Sequence, residues 1–304
     1  MSAPPALRAG SAAAWLLALR PRTLWIAIVP VVVGAAFAQR YAGGVDLGVA
    51  ALALAVSLLL QVIVNLQNDV GYTVRGGEHR DRVGAREGLP RATAIGVLSV
   101  RAVRVAIAGA IALALLIGLP LVARAGAPAA ALGLASIAAA LAYMGGPRPI
   151  AYTPFGELTV IAFFGWVACG GTFYVLTLTL APAVLLAATA IGMLAGAVLA
   201  ANNLRDAEHD RASGRRTFAV RFGARAALLL YAALAWAPFA LVALLAWHER
   251  APALLAPWLL APFAWRLLTR VREARQGQAY TAALLATVRL ELAFGLLLAG
   301  GALL

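Results

Sequence analysis

The sequence predicts an all-α integral membrane protein built as a nine-transmembrane-helix bundle, on three observations. Of its 304 residues, 63% are hydrophobic and the mean hydropathy is +0.88, well above the roughly 45–50% apolar content of soluble domains. Nine apolar runs approach the ~20 residues that span a bilayer, with centres near residues 32, 56, 112, 136, 168, 190, 236, 259 and 293. The 25 basic residues, all arginine and giving a net charge of +13, cluster between alternate runs.

The arginines set the orientation. With nine spans and a cytoplasmic N-terminus, 22 of them lie inside and only Arg40, Arg124 and Arg250 outside, as the positive-inside rule requires. Dropping one span would move an arginine-rich loop outside. The weakest run follows Arg250 and carries Pro252, Pro257 and Pro262; eight spans is the alternative count, although proline is tolerated where neighbours satisfy the freed carbonyls. Charge gathered on one membrane face points to lipid headgroups or an anionic substrate, with no nucleic acid as partner.

Residues 1–22 read as an interfacial segment. Ala12 to Leu19, ahead of Arg20-Pro21-Arg22, lacks the basic start and small-residue cleavage site of a signal peptide, and Trp15 and Trp25 suit the headgroup level. The single cysteine, Cys169, sits in an apolar stretch. It offers no disulfide framework or zinc site and reads as a small core hydrophobe. No linker divides the chain, so 1–304 forms one domain with polar cytoplasmic loops at 68–99 and 202–224.

Most acids fall in those two loops: Asp69, Glu78, Asp81 and Glu87 in the first, Asp206, Glu208 and Asp210 in the second. Asp206 and Asp210 are four residues apart, one helical turn on one face, and Asn65 and Asp69 share that spacing. Asn65-Leu66-Gln67-Asn68-Asp69 also echoes Asn202-Asn203-Leu204-Arg205-Asp206 four spans later, which suggests two parallel helical repeats. Magnesium is a hard ion taken up by a few carboxylates plus phosphate oxygens, and arginine forks complement phosphate. The pattern predicts a magnesium diphosphate site. Isolated loop charges forming weak surface ion pairs would be the plainer explanation. His79 and His209 have no second histidine at ligand spacing, and Glu291, inside the last span near Arg289, is either a functional group by default or that arginine's partner.

The segment from Asn65 through Gly77-Glu78 to Asp81-Arg82-Val83-Gly84 resembles the first aspartate-rich motif of the UbiA superfamily of intramembrane prenyltransferases. Asn202-Asn203-Leu204-Arg205-Asp206 with Asp210, Gly214 and Arg216-Thr217 resembles the second. Leu19-Arg20-Pro21-Arg22, Tyr143 with Arg148-Pro149, and Gly156-Glu157 with Phe163-Phe164-Gly165-Trp166 are similar too, in matching order. Within that superfamily the chain looks most like the branch that prenylates 1,4-dihydroxy-2-naphthoate in menaquinone synthesis.

The resemblance implies a central cavity with a cytoplasmic cap in a bacterial inner membrane, and transfer of a polyprenyl group from polyprenyl diphosphate to an aromatic acceptor. It implies Mg2+ held by Asp69, Asp206 and Asp210, with Asn68 assisting in catalysis. Diphosphate contacts would come from Asn65, Arg82, Arg148, Asn202, Arg205 and Arg215, and the acceptor or prenyl pocket from Tyr143, Phe164 and Trp166. The first motif departs from the family's: Tyr72 stands where an aspartate is usual, and Arg86 and Glu87 break the arginine signature after Asp81-Arg82. Asp69 would then take over the metal, or activity would be low or altered. Another acceptor such as 4-hydroxybenzoate, a weakened homologue, and a transporter of an anionic metabolite remain alternatives at this point.

Overall fold

The computed structural model describes residues 7–76, 91–274 and 277–304. All elements among them are helical. Ser11 caps the short helix α1 (Ala12–Leu19) by accepting from Ala14 N, and α1 packs on the flank of α3. Then follow α2 (Trp25–Ala42), α3 (Leu47–Val74) and α4 (Val100–Met144). A continuous rod comes next, made of α5 (Gly156–Val160), a π-helix (Ile161–Gly170) and α6 (Gly171–Thr177). The chain closes with α7 (Pro182–Arg205), α8 (Ala207–Ala212), α9 (Phe218–His248), a 3-10 stretch Pro252–Leu260, α10 (Ala261–Glu273) and α11 (Gly277–Ala302).

Among the described residues, seven helices are long and apolar enough to cross a membrane, against the nine runs of the sequence. Two features account for the difference. At 45 residues α4 would be about 67 Å long, twice a bilayer core, and it breaks at Gly126, whose φ of 69° and ψ of −155° leave the helix; the predicted centres 112 and 136 lie on either side. Near the predicted centre 259, the prolines at 252 and 257 remove backbone donors, and the chain forms a 3-10 stretch before α10. The expected loops are also partly helical. Asn68 and Asp69 belong to α3, Asn202 to Arg205 end α7, and α8 carries Asp210.

The most enclosed helix is α7. Sixteen of its 24 residues are buried, mostly Ala, Gly, Val and Leu, as expected of a helix apolar all round, and it contacts α2, α9, α11 and the π-helix. Small residues let it approach closely: a Cβ on Gly192 would lie 2.5 Å from the Ile161 carbonyl oxygen, and one on Gly165 would lie 2.5 Å from that of Ala188. Cys169 is fully buried in the same core. A second apolar cluster joins α1, α3, the turn at Ala92 to Leu98 and α4, mostly its first half but with Ala140 of its second. Between the two clusters lies a cavity.

Candidate active site

The cavity has a volume of about 580 Å³ and is lined by α2, α3, both halves of α4, the π-helix with α6, and α7. Most of its wall is hydrocarbon, including Val56, Leu60, Leu119, Phe163, Phe164 and Val198. Its polar groups gather where α3 and α7 end: Arg20, Gln61, Asn65, Asn68, Tyr72, Arg91, Tyr143, Asn202 and Arg215. An amphipathic elongated ligand, apolar along its length and anionic at one tip, matches this division.

At the end of α3, each side chain has a distinct task. Asn65 donates to the Leu19 carbonyl at 2.9 Å and to Thr23 Oγ1 at 3.0 Å, and accepts from Gln61 at 3.1 Å; it fastens the N-terminal turn to the cavity wall. Asn68 faces the cavity, and its Oδ1 is buried with no hydrogen-bond partner among the described residues. Asp69 is fully buried. Its Oδ2 accepts from Ala92 N at 2.9 Å, and its Oδ1 from Thr93 N at 2.8 Å and Thr93 Oγ1 at 2.6 Å.

Tyr72 is nearly buried. The Arg91 and Arg215 guanidinium carbons lie over its ring, 4.2 and 5.1 Å from the centroid, and its hydroxyl accepts from Arg215 Nη1.

Arg215 ties this half to the α7 end. It donates to Asp210 Oδ1 at 2.6 Å and to the Ala151 carbonyl at 3.1 and 3.2 Å. Its own N–H bonds the Asp210 carbonyl, which closes the turn after α8. Asp210 is fully buried, and its Oδ2 has no partner among the described residues. Burial pushes the Asp210 carboxyl up to about 6, with the Asp206 charge adding to the rise and Arg215 opposing both. Asp206 is held by Arg205 through two bonds of 2.7 Å, and Arg205 also donates to Asn202 Oδ1 at 2.8 Å.

Of the residues expected from sequence, Asn65, Asn68, Asn202, Arg215, Tyr143 and Phe164 line the cavity. Arg205, Asp206 and Asp210 stand behind its polar end, connected to it through Asn202 and Arg215. Arg148 is exposed and does not line it, and Arg82 lies outside the described residues. Trp166, expected in the pocket, is 47% exposed on the outer side and donates to Thr189 at 3.0 Å. Phe163, Phe164 and Val167, at helical spacing, face inward, and Trp166, two residues from Phe164, falls on the opposite side.

Asp69, Asp206 and Asp210 are not gathered at one point. Among the described residues no three His, Cys, Asp or Glu side chains could hold one ion, and Asp69 would have to release Thr93 to join the others. The partial donor set present still suits magnesium, which takes one or two carboxylates and completes its shell with phosphate and water oxygens. Asp210 Oδ2 and Asn68 Oδ1 are buried acceptors without partners.

Sequence reasoning missed Arg91, having looked for the loop's arginine at Arg82. The Arg91-Ala92-Thr93 triplet just ahead of the Ser99 cap of α4 was the available signal. It also missed the buried pair of Glu157 and Asn203, bonded at 2.9 Å.

Comparison with known proteins agrees with this architecture. The chain is 42% identical over 216 residues to the 1,4-dihydroxy-2-naphthoate octaprenyltransferase of Escherichia coli (strain K12), covering 69% of this chain and 68% of that protein. It is 37% identical over 273 residues to the protein of the same name from Mycobacterium tuberculosis (strain ATCC 25618 / H37Rv), covering 88% and 89%. The fold is similar to that of a UbiA homolog from Archaeoglobus fulgidus bound to GPP and Mg2+, with a TM-score of 0.67 over 94% of this chain and 99% of that one, at 18% identity. The sequence model of the UbiA prenyltransferase family matches residues 27–294, and the chain belongs to that family.

Proposed function

We propose that this protein transfers a polyprenyl group from polyprenyl diphosphate to 1,4-dihydroxy-2-naphthoate. The observation that carries the reading is the divided cavity, hydrocarbon along its length and lined at one end by arginines and asparagines. Relatives across 88% of the chain bear the name of that activity.

The prenyl chain lies along the apolar wall and the diphosphate meets Arg91, Arg215, Asn68 and Asn202. Asp210, with Asp206, Asn68 and Asn202 nearby, would hold magnesium, which would supply Lewis-acid stabilisation of the diphosphate leaving group. Asp69 joins that set only by giving up Thr93. As the allylic C–O bond breaks, its electron pair goes to the diphosphate, and preorganised guanidiniums stabilise the developing charge. The electron-rich ring, held near Tyr143 and Phe164, attacks the allylic carbon, and the ring carboxylate leaves as carbon dioxide. The hydrocarbon wall excludes water that would otherwise capture the cation.

In the bacterial cytoplasmic membrane the chain crosses nine times, with α4 crossing twice about Gly126 and residues 252–273 crossing once. The polar end faces the cytoplasm under a cap made by residues 91–98 and α8. Two contacts support this arrangement. Arg40 lies 3.7 Å from Glu249, and Arg124 donates to the Val175 and Leu176 carbonyls, which gathers the outer arginines at the opposite end.

Purified protein given magnesium, a polyprenyl diphosphate and either 1,4-dihydroxy-2-naphthoate or 4-hydroxybenzoate should prenylate the naphthoate. Product from 4-hydroxybenzoate alone would replace the acceptor, and no product from either would remove the enzymatic reading.

A further inference from the structure

The cavity is closed at the end away from its polar groups. Val31, Ala53, Leu121 and Val175 line it there, are buried, and pack together as one apolar cluster. Arg124 bonds the Val175 and Leu176 carbonyls just beyond. Along α3, Asn68 at the polar end and Ala53 at this floor are separated by about 22 Å, at 1.5 Å per residue. A prenyl chain of more than a few isoprene units, extended from a diphosphate at the polar end, outgrows that length, and the floor turns the remainder aside.

Exposure marks where it can go. Among the described residues that line the cavity, those exposed at the surface are Leu115, Leu119 and Leu134, at 47%, 60% and 60%, and all three belong to α4. The lining residues of α2, α3, α7 and the π-helix are buried or half-buried. The second half of α4 folds back along the first, since Ala140 shares an apolar cluster with Val103 and Ile107. Residues equally far along the chain from the Gly126 break are then level with one another, which pairs Gly118 with Leu134 and Leu119 with Gly133.

A Cβ on Gly118 or on Gly133 would meet nothing within 4 Å. Glycines between packed helices normally let backbones approach, as at Gly165 and Gly192, where a Cβ would come within 2.5 Å of a carbonyl oxygen. These two glycines have no such neighbour. They leave a gap in the cavity wall about 11 Å along the helices from the break, a depth inside the ~30 Å hydrocarbon core of a bilayer.

We propose that the far part of the prenyl chain leaves the cavity for the bilayer between the two halves of α4, through an opening bounded by Leu119 and Leu134 and kept clear by Gly118 and Gly133. This rests on the prenyl-diphosphate reading above. Lipid tails are as apolar as leucine, so the chain exchanges one hydrocarbon surface for another, and donors of different length share one position for the reacting end.

Photolabelling tests this without turnover. Solanesyl diphosphate carrying a diazirine at its far end, bound to the full chain in lipid nanodiscs, should label bilayer lipid and the stretch of α4 between residues 115 and 134, and inorganic pyrophosphate should suppress that labelling. Label at Val31, Ala53 or Val175 would put the chain end on the floor and overturn the proposal, as would label confined to other helices.

Gly118→Leu and Gly133→Leu fill the gap, and both should fold, because a Cβ meets nothing there and leucine is the better helix former. Each should lower kcat/KM for solanesyl diphosphate relative to geranyl diphosphate by about tenfold, the scale of overpacking a close contact; a merely structural role would lower both donors alike. An unchanged ratio in both variants would overturn the opening, as would a wild type that turns over geranyl diphosphate and rejects every chain longer than the cavity. Absence of pyrophosphate-sensitive labelling together with absence of product from either donor would instead remove the prenyl-diphosphate reading, and this inference with it.

Discussion

The carboxylate of Asp69 is held by Thr93, accepting from its backbone N–H at 2.8 Å and its hydroxyl at 2.6 Å. The helix-end aspartate expected to grip a metal is bonded here to a turn 24 residues further along the chain. Its position makes Asp69 a determinant of where Arg91 sits.

Asp69→Ala should therefore lower stability by about 3 kcal/mol, because it leaves buried donors unsatisfied. Asp69→Asn, which retains an acceptor oxygen, should cost less. Thermal unfolding in detergent, read beside the magnesium dependence of activity, distinguishes the roles. An unchanged unfolding temperature with a raised magnesium requirement would return Asp69 to the metal.

Asp210 should make metal binding sensitive to pH. Its carboxyl is pushed up to about 6 by burial, so a proton competes with the cation below that pH. The magnesium concentration for half-saturation should rise up to about tenfold per unit as pH falls below 6. In metal-free protein the sign is opposite. A carboxyl whose folded pKa is raised contributes stability below its unfolded pKa, near 4, and loses it as pH rises through about 6. Asp210→Asn should abolish both trends, and a flat magnesium profile between pH 5 and 7 in the wild type would refute the assignment.

Cysteine labelling tests the orientation. Ala212 and Ala127 are exposed, and the native Cys169 is fully buried, so no background removal is needed. Ala212→Cys should react only from the cytoplasmic side and Ala127→Cys only from outside. Reaction of both from one face would show that the chain between them does not cross as proposed.

The contact between Gly165 and Gly192 should be intolerant of any side chain. Gly192→Ala would put a Cβ 2.5 Å from the Ile161 carbonyl oxygen, which forces the π-helix away from α7. A loss of about 1–3 kcal/mol is expected for such overpacking, with impaired activity because Phe163 and Phe164 hang from that helix. Wild-type stability and turnover in Gly192→Ala would show that the two helices slide freely.

Sequence alone determined the all-helical membrane character, the family resemblance and both motif segments, because hydrophobic run length and local residue order are one-dimensional properties. It also picked out Asn65, Asn68, Tyr143, Phe164, Asn202 and Arg215, which line the cavity, and placed two apolar runs on either side of Gly126. Only the tertiary structure decided which partners Asp69 and Tyr72 meet. Asp69 binds a turn at Ala92 and Thr93, and the Tyr72 hydroxyl meets an arginine 143 positions away. No local spacing encodes such partners. Phe164, expected in the pocket, lines it, whereas Trp166, expected there as well, lies outside, because side chains two residues apart on a helix point to nearly opposite sides. Which of those two sides faces the cavity is settled by how the helix packs against its neighbours in three dimensions, and the order of residues along the chain does not record that.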